Sequence, residues 1–309
     1  MYYFIINPNS RNGKGYKIWK RLQKQLDVRQ VQYEAHLTDR PGHACEIAKQ
    51  LTEDVQKKPK TIVILGGDGT VNEVINGICL ECPVTLGYIP AGSGNDLARS
   101  LKLPKKPLKA MKRILHPKYF KQLDYGLITY SDEQLRHRRF AVSGGIGFDA
   151  AVCHEILHSG IKCMLSKMKL EKAAYIVVGL KQLVKAKPSS GYLMLDGVKR
   201  VDLCHVLFIS AHIHKYEGGG FLFAPKANPT DGLLDICVFG SSCKIKMIPV
   251  LIKALTGNMR RCHCVRYFQC SEVEIHTERP LAVHTDGESC LYQQDVDMRC
   301  IPRQIRIIV

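Results

Sequence analysis

The stretch Thr61-Ile62-Val63-Ile64-Leu65-Gly66-Gly67-Asp68-Gly69-Thr70-Val71-Asn72-Glu73-Val74-Ile75-Asn76-Gly77 leads from an unbroken apolar run, through three glycines and a carboxylate, into a helical pattern. The run reads as a buried strand, and Val71, Val74, Ile75 and Ile78 read as one face of the helix that follows. Glycines at 66, 67 and 69 allow positive φ and close approach to a ligand, and the amides that open the next helix can point at phosphate oxygens. Asp68 would then face phosphate or its Mg²⁺. A second glycine-rich turn, PAGSGNDLARS at Pro90 to Ser100, follows another short apolar run, Thr85-Leu86-Gly87-Tyr88-Ile89. The interval between the two turns suits one helix, so both are expected at corresponding strand ends, around one crevice.

Working outward, the first part of the chain alternates strand and helix, which predicts an α/β domain with a doubly wound, mostly parallel sheet. Tyr2 to Asn7 reads as the first strand, and Ile18, Trp19, Leu22 and Leu26 as the buried stripe of a helix. Val31 to Leu37 and Gly42 to Leu51 read as the next strand and helix, and Lys109 to Leu115 resumes the helical pattern after Pro104-Lys105-Lys106-Pro107. Beyond Lys121 the texture changes to short strands separated by turns: 127–130, 139–142, 191–195, 200–210, 233–239, 265–270, 271–277 and 281–284. That pattern predicts a mainly β sandwich or barrel. Two helical stretches interrupt it, 149–183 with a break near Gly160, and 244–255. The expected division is residues 1–123 with 296–309 for the α/β domain and 124–295 for the β domain.

The chain has 309 residues, room for two ordinary cores, and a formal net charge of +17 spread from Lys14 to Arg306. A spread positive excess suits an anionic membrane surface, an anionic substrate such as ATP, or nucleic acid. No nucleic-acid recognition motif and no basic-aromatic platform is present, so a nucleic-acid partner is not expected. The opening Met1-Tyr2-Tyr3-Phe4-Ile5-Ile6 lacks the basic start of a signal peptide, and no apolar run approaches the length of a membrane span. The expectation is a cytoplasmic protein whose thirteen cysteines are free thiols rather than a disulfide framework. Cys79-x-x-Cys82 and Cys262-His263-Cys264 have no second pair at zinc-site spacing, so a metal site there is not expected.

The two glycine-rich strings are neither a Walker A loop nor a dinucleotide fingerprint. Together with Ile5-Ile6-Asn7-Pro8 near the start and His284-Thr285-Asp286-Gly287-Glu288 near the end, they resemble the diacylglycerol kinase catalytic-domain family. The likeness is to its bacterial soluble diacylglycerol kinase and YegS-like lipid kinase branch, and it runs along nearly the whole chain. The resemblance implies an ATP-binding, NAD-kinase-like first domain, a β-sandwich second domain, and a final strand, here Arg303 to Val309, that returns to the first. It also implies ATP and Mg²⁺ as cofactors. Asn7, Pro8 and Asn9 fall in the family's nucleotide loop, and Thr38 matches its nucleotide-contacting threonine. Gly66, Gly67, Asp68, Gly69, Thr70, Asn72 and Glu73 form its central binding string, and Ser93 matches a small residue beside the nucleotide.

Farther along, Ala224 to Asp235 resembles the family's segment for a structural Mg²⁺, which implies the Asp231 carboxylate and the carbonyls of Asn228 and Leu233 as ligands. Taken alone, the same letters make a Thr-Asp-Gly turn between strands. Asp286-Gly287-Glu288 would pass alone as a hairpin turn; the resemblance makes Asp286 or Glu288 the acceptor of the lipid hydroxyl proton, with Asp68 beside the phosphates. Ser143 to Ala150 resembles the family's second-domain signature and is expected to open a helix. Ile161 to Lys172 and Lys244 to Lys253 mix apolar residues with lysines, a pattern that suits either an anionic bilayer or a helix packed on the sandwich.

The leading expectation is therefore a peripherally membrane-associated kinase that phosphorylates a lipid hydroxyl, diacylglycerol first. Phosphatidylglycerol, ceramide and sphingoid bases are alternative acceptors, and a homodimer through the sandwich domain is the expected assembly by analogy. NAD kinase shares a GGDGT turn, but PAGSGNDLAR and the Gly145 to Asp149 segment fit the lipid-kinase pattern. A silent ATP- or lipid-binding regulator would be marked by loss of carboxylates, whereas Asp68, Asp231, Asp286 and Glu288 are all present.

Overall fold

The computed structural model describes residues 1–53, 58–158 and 171–309. It divides into two compact units, Met1–Asp124 with Pro302–Val309, and Tyr125–Ile301. The returning segment is shorter than the expected 296–309, because Val296 to Arg299 still pair with Glu272 to Ile275 in the second unit.

In the first unit, β1 (Tyr2–Ile6), β2 (Tyr33–Leu37), β3 (Lys60–Gly66) and β4 (Val84–Pro90) are all parallel, in the order β4-β3-β1-β2. The end of β13 (Glu288–Ile308) joins the far edge in parallel, with Arg306 beside Thr85 and Ile307 beside Leu86. The chain steps from β1 out to β2 and then returns to β3 on the other side of β1. Right-handed crossovers then place α1 (Ser10–Val28) on one face and α2 (His43–Thr52) and α3 (Asp68–Gly77) on the other. This reversal of direction makes the sheet doubly wound, with its switch point between the carboxyl ends of β1 and β3. Both faces are covered, which is why the strands read as apolar runs without alternation. Phe4, Ile6, Val63 and Leu65 meet Trp19, Leu22 and Leu26 of α1 and Met111 and Ile114 of α5 (Pro107–Leu115) in one buried cluster. Emptying one of the large positions, Leu22→Ala for example, should cost about 2–5 kcal/mol.

The second unit is β-rich and its strand pairings are antiparallel. β5 (Phe120–Asp132) and β6 (Gln134–Phe140) form a hairpin; β7 (Ser143–Gly147), β8 (Ser189–Leu195), β9 (Lys199–His212), β10 (Leu234–Gly240), β11 (Val265–Cys270) and β12 (Glu272–Thr285) follow. β9 pairs first with β8 and then with β7 and β10. β12 likewise pairs first with β8 and then with β7. Two expected strands, 271–277 and 281–284, are this single β12, with its register shifted between His276 and Leu281. The expected strand 139–142 ends at Phe140, because the amides of Ala141 and Val142 are bound by a side chain described below. The expected helix does open within Ser143 to Ala150, at Phe148, where α6 (Phe148–His158) begins; Ser143–Gly147 before it is a fully buried strand in register with β9 and β12. α7 (Glu171–Lys185) and α8 (Met247–Ala254) complete the unit. The expected break near Gly160 and most of the stretch Ile161 to Lys172 lie outside the described residues.

No helix among the described residues is long and apolar enough to cross a membrane. Twelve cysteines are described, all free, and Cys82, Cys237, Cys270, Cys290 and Cys300 are buried. Burial pushes the thiol of Cys153 up to about 11 and that of Cys270 to about 12, so neither supplies thiolate near neutral pH. Brief alkylation of the native protein should therefore label the exposed Cys204 and Cys243 first in peptide mass mapping. Equally fast labelling of Cys237 or Cys270 would contradict this packing.

Candidate active site

The two glycine-rich turns lie side by side at the carboxyl edge of the parallel sheet. A Cβ on Gly92 would sit 2.5 Å from the Cα of Gly67, and one on Gly67 would sit 3.1 Å from the Cα of Gly92. No side chain fits between these backbones, and the Ala91 amide donates to the Gly66 carbonyl at 2.7 Å. Asp68 ties the turns together. Its carboxylate accepts from the amides of Asp96 (3.1 Å) and Leu97 (3.4 Å), which open α4 (Asp96–Ser100). Asp68 is itself the first residue of α3, after Gly67 as N-cap, so one carboxylate serves two helix starts.

The expected helix cap at Asn95-Asp96 is thus supplied from a distant turn. Asn95 sits in the left-handed region at φ 53°, and its side chain instead accepts from the Gly92 amide (2.9 Å) and donates to the Gly92 carbonyl (2.7 Å). The Tyr88 hydroxyl donates to the same Asn95 oxygen at 3.2 Å. Burial, with the charges of Asp68 and Asp96 nearby, holds this phenol well above its ordinary value, so it stays a donor. Sequence reading passed over Tyr88 as one more apolar strand residue.

The first loop joins the same edge. The Asn7 amide donates to the Leu65 carbonyl (2.9 Å), and the Asn7 side chain donates to the Thr70 hydroxyl (3.1 Å) while accepting from the Asn9 amide (3.0 Å). Asn7, Pro8, Gly67, Asp68 and Gly69 are partly exposed and Asn9 and Ser93 are exposed, all along the switch-point edge. Thr38 follows β2, is buried, and donates its amide to the Ile6 carbonyl. The Ser10 hydroxyl, buried at the start of α1, has no hydrogen-bond partner, as expected where a polar ligand group docks. These backbones and this orphaned hydroxyl fit a nucleotide's polyphosphate. Two residues of the expected binding string are differently employed. Asn72 is fully buried and bonded to Asn76, and Glu73 accepts from the Ala44 amide at the start of α2.

In the second unit, Asp286 and Gly287 form the two-residue turn between β12 and β13, both at positive φ (50° and 87°). The Asp286 carboxylate accepts three amides, from Ala141 (2.7 Å), Val142 (2.8 Å) and Ser143 (3.0 Å), and its own amide donates to the Ser143 carbonyl. It clamps the end of the β5–β6 hairpin to β7. Glu288, at the first position of β13, is partly exposed.

Behind this turn lies a buried polar cluster that sequence reading did not assemble. The Gly287 amide donates to His284 Nδ1 (3.1 Å), which leaves the imidazole proton on Nε2. That nitrogen faces Asp149 Oδ2 (3.3 Å) and Glu217 Oε1 (3.2 Å), while His212 Nε2 faces Glu217 Oε2 (3.4 Å) and the Ser210 hydroxyl (2.8 Å). Burial pushes the Asp149 carboxyl above its ordinary value, against the pull of its hydrogen bond with His284. Burial also holds His212 neutral, against the pull of Glu217 and Asp149. The three donor atoms of Asp149, Glu217 and His284 lie within 4.8 Å of one another, a metal-like grouping. Ligation through Nε2 would need a lone pair there, however, and the Gly287 amide places the lone pair at Nδ1. The cluster is therefore an imidazole N–H set between two carboxylates. Gly145 forms its floor, since a Cβ there would lie 2.2 Å from Asp149 Oδ2. No spacing signal links Glu217, which merely precedes three glycines, to residues 68 positions before and 67 after it.

The segment expected to hold Mg²⁺ presents oxygen donors only. Asp231 is exposed and accepts from the Leu233 amide (3.2 Å); Thr230 donates to the Asn228 side chain (2.9 Å). Asp235, two residues beyond Leu233, has a buried Oδ2 with no hydrogen-bond partner, and burial followed by the Asp231 charge raises its pKa. An orphaned carboxylate oxygen beside a second carboxylate fits a hard cation.

The chain was compared with known proteins. Residues 1–127 match the diacylglycerol kinase catalytic domain, and residues 145–309 match the YegS C-terminal NAD kinase beta sandwich-like domain. The "Putative lipid kinase YtlR" of Bacillus subtilis is 28% identical over 288 residues, covering 93% of each chain. A "Diacylglycerol kinase" of the same organism is 27% identical over 290 residues, covering 92% of this chain and 88% of that one. The fold is shared with the solved structure titled as a diacylglycerol kinase from Bacillus anthracis, at a TM-score of 0.69 and 19% identity, over 99% of this chain and 95% of that chain.

Three substitutions probe the geometry above. His284→Ala should destabilise the protein by about 3–5 kcal/mol in urea unfolding, because it strands buried carboxylates. His284→Gln, which keeps a donor and an acceptor, should cost less; equal losses would show that the ring's hydrogen bonds are not what holds the cluster. Gly92→Ala should separate the two turns and abolish nucleotide binding measured by calorimetry.

Proposed function

Because the chain belongs to the family in which a diacylglycerol kinase catalytic domain precedes a YegS-type C-terminal domain, we propose that this lipid kinase transfers the γ-phosphoryl group of ATP, with Mg²⁺, to the free hydroxyl of diacylglycerol, giving phosphatidic acid. The observation that carries the nucleotide half of the reading is the backbone contact of Gly67 with Gly92 at the carboxyl ends of β3 and β4, stapled by Asp68. The relatives named as diacylglycerol kinases carry the choice of acceptor.

ATP supplies the electrophilic phosphorus, and Mg²⁺ neutralises the oxygens around it. The chain's contribution is positioning and proton transfer. Asn7, Pro8, Asn9, Ser93 and the glycines at 66, 67 and 69 would line the polyphosphate, and Asp68 would hold the second turn in place beside it. Asp231, with Asp235 and the carbonyls of Asn228 and Leu233, would hold the structural cation.

Of the two carboxylates in the DGE turn, Glu288 is the better proton acceptor. Asp286 already takes three amide hydrogens, which fix it and occupy its lone pairs, whereas Glu288 is partly exposed at the start of β13. Glu288 would take the proton from the lipid hydroxyl as that oxygen bonds to the γ-phosphorus and ADP departs. Asp286 would act by setting the turn that presents it.

The test is transfer of labelled γ-phosphate to diacylglycerol, phosphatidylglycerol, ceramide and a sphingoid base in mixed micelles, with NAD as a soluble control. Labelled phosphatidic acid is expected. Glu288→Gln should lower kcat by about 10²–10⁴-fold with ATP affinity retained. A wild-type kcat in that variant would remove Glu288 as the base, and label on NAD would overturn the lipid reading.

A further inference from the structure

The lipid-kinase reading requires the enzyme to reach a membrane, and the second unit carries a surface suited to that step. α8 is apolar on two sides. Met247, Val250 and Ala254 enter a buried cluster with Phe208, Phe239 and Leu183. On the outer side, the preceding 3-10 turn Lys244–Lys246 and the helix expose Ile245 (72%), Ile248 (39%), Ile252 (62%) and, just past its end, Leu255 (57%). Their spacing of three, four and three residues makes one stripe along the helix.

α7 lies beside it, since its Leu183 enters the same buried cluster and the Lys244 ammonium donates to the Val184 carbonyl at 2.8 Å. The outer side of α7 exposes Leu180 (50%) and Val184 (79%), one turn apart. Six large apolar side chains on two neighbouring helices thus face solvent, which a monomeric soluble surface rarely leaves uncovered.

The charge around them has one sign. No aspartate or glutamate occurs between Asp235 and Glu272, nor between Glu171 and Asp196. Lys185, Lys187, Lys246 and Lys253 are exposed among the apolar groups. Glu155 of α6 is engaged by Lys181 (2.6 Å) and Gln182 (3.0 Å). An apolar stripe bordered by lysines complements an anionic bilayer, into which the isoleucines insert while the lysines meet head-group phosphates.

We propose that the outer faces of α7 and α8, with the 3-10 turn between Lys244 and Lys246, form the surface by which this protein docks on an anionic membrane. Docking places the second unit against the leaflet that holds a lipid acceptor. This inference rests on the lipid-kinase reading for its purpose, and on the exposed residues for its location.

The test is flotation of the full-length protein with vesicles of phosphatidylcholine alone or mixed with phosphatidylglycerol, without ATP or acceptor. Wild type should bind the anionic vesicles preferentially and lose binding as salt rises. The triple variant Ile245→Ser, Ile248→Ser, Ile252→Ser and the double variant Lys246→Glu, Lys253→Glu should each bind at least about tenfold more weakly. Both should phosphorylate a short-chain, monomerically dispersed diacylglycerol at the wild-type rate. Wild-type vesicle affinity in both variants overturns the docking surface. So does a wild-type dimer that the isoleucine substitutions split without any change in vesicle binding. Vesicle binding that depends on these residues, with no lipid phosphorylated by wild type, upholds the surface and sinks the kinase reading instead.

Discussion

The first unit depends on a carboxylate that reaches across from one turn to another. Asp68 accepts the amides of Asp96 and Leu97, and this bond is available only because Gly67 and Gly92 let the two backbones touch. Both requirements follow from the doubly wound sheet. Parallel neighbours β3 and β4 end at the same edge, so the loops that follow them must share space there. Helix starts leave amides without partners, and a carboxylate at their mouth satisfies them while drawing the loops together. Asn95 and Tyr88 finish the arrangement from beneath, and the result is a rigid rim of backbone where a polyphosphate would lie.

The second unit solves a different problem with the same chemistry. Its DGE turn would be an ordinary two-residue hairpin if its aspartate pointed to water. Three amides from Ala141 to Ser143 instead bind Asp286, and His284 binds the Gly287 amide. The turn is therefore held from both sides. Glu217 and Asp149 fix the imidazole, and the glycines beside them, Gly145 and Gly218 to Gly220, are needed because the cluster leaves no room for a Cβ at one position and requires positive φ at the others. A buried group of this kind is costly unless its polar atoms are matched, and here the imidazole lies between two carboxylates. The turn's other carboxylate, Glu288, stands partly exposed at the first position of β13.

Much of this was legible in the amino-acid order. Apolar runs ending in glycine marked β3 and β4 because strands buried on both faces cannot alternate, and the stripe of Trp19, Leu22 and Leu26 marked α1 because one face of that helix is dry. The glycine strings marked two turns that meet at the carboxyl edge of the sheet, where no Cβ fits between Gly67 and Gly92. The local order misled where a residue's partner lies far away in sequence. The stretch Ser143 to Ala150 is expected to open a helix, and it does so only from Phe148; Ser143–Gly147 is a central strand flanked by β9 and β12. Asn72 and Glu73 sit inside the binding string, but the turn of α3 carries one into the core and the other to the start of α2.

By itself, then, the order of residues determined the α/β and β-rich halves and the two glycine-rich turns, because these rest on periodicity and on the missing side chain of glycine, which are local properties. The tertiary structure alone decided that Asp68 staples two turns and that Asp286 clamps the β5–β6 hairpin to β7. It also brought Asp149, Glu217 and His284 together and turned the isoleucines of α8 outward beside α7. Those outcomes depend on hydrogen-bond partners and neighbours from distant segments, and a side chain's role follows from what occupies its lone pairs and its apolar surface after the chain has folded.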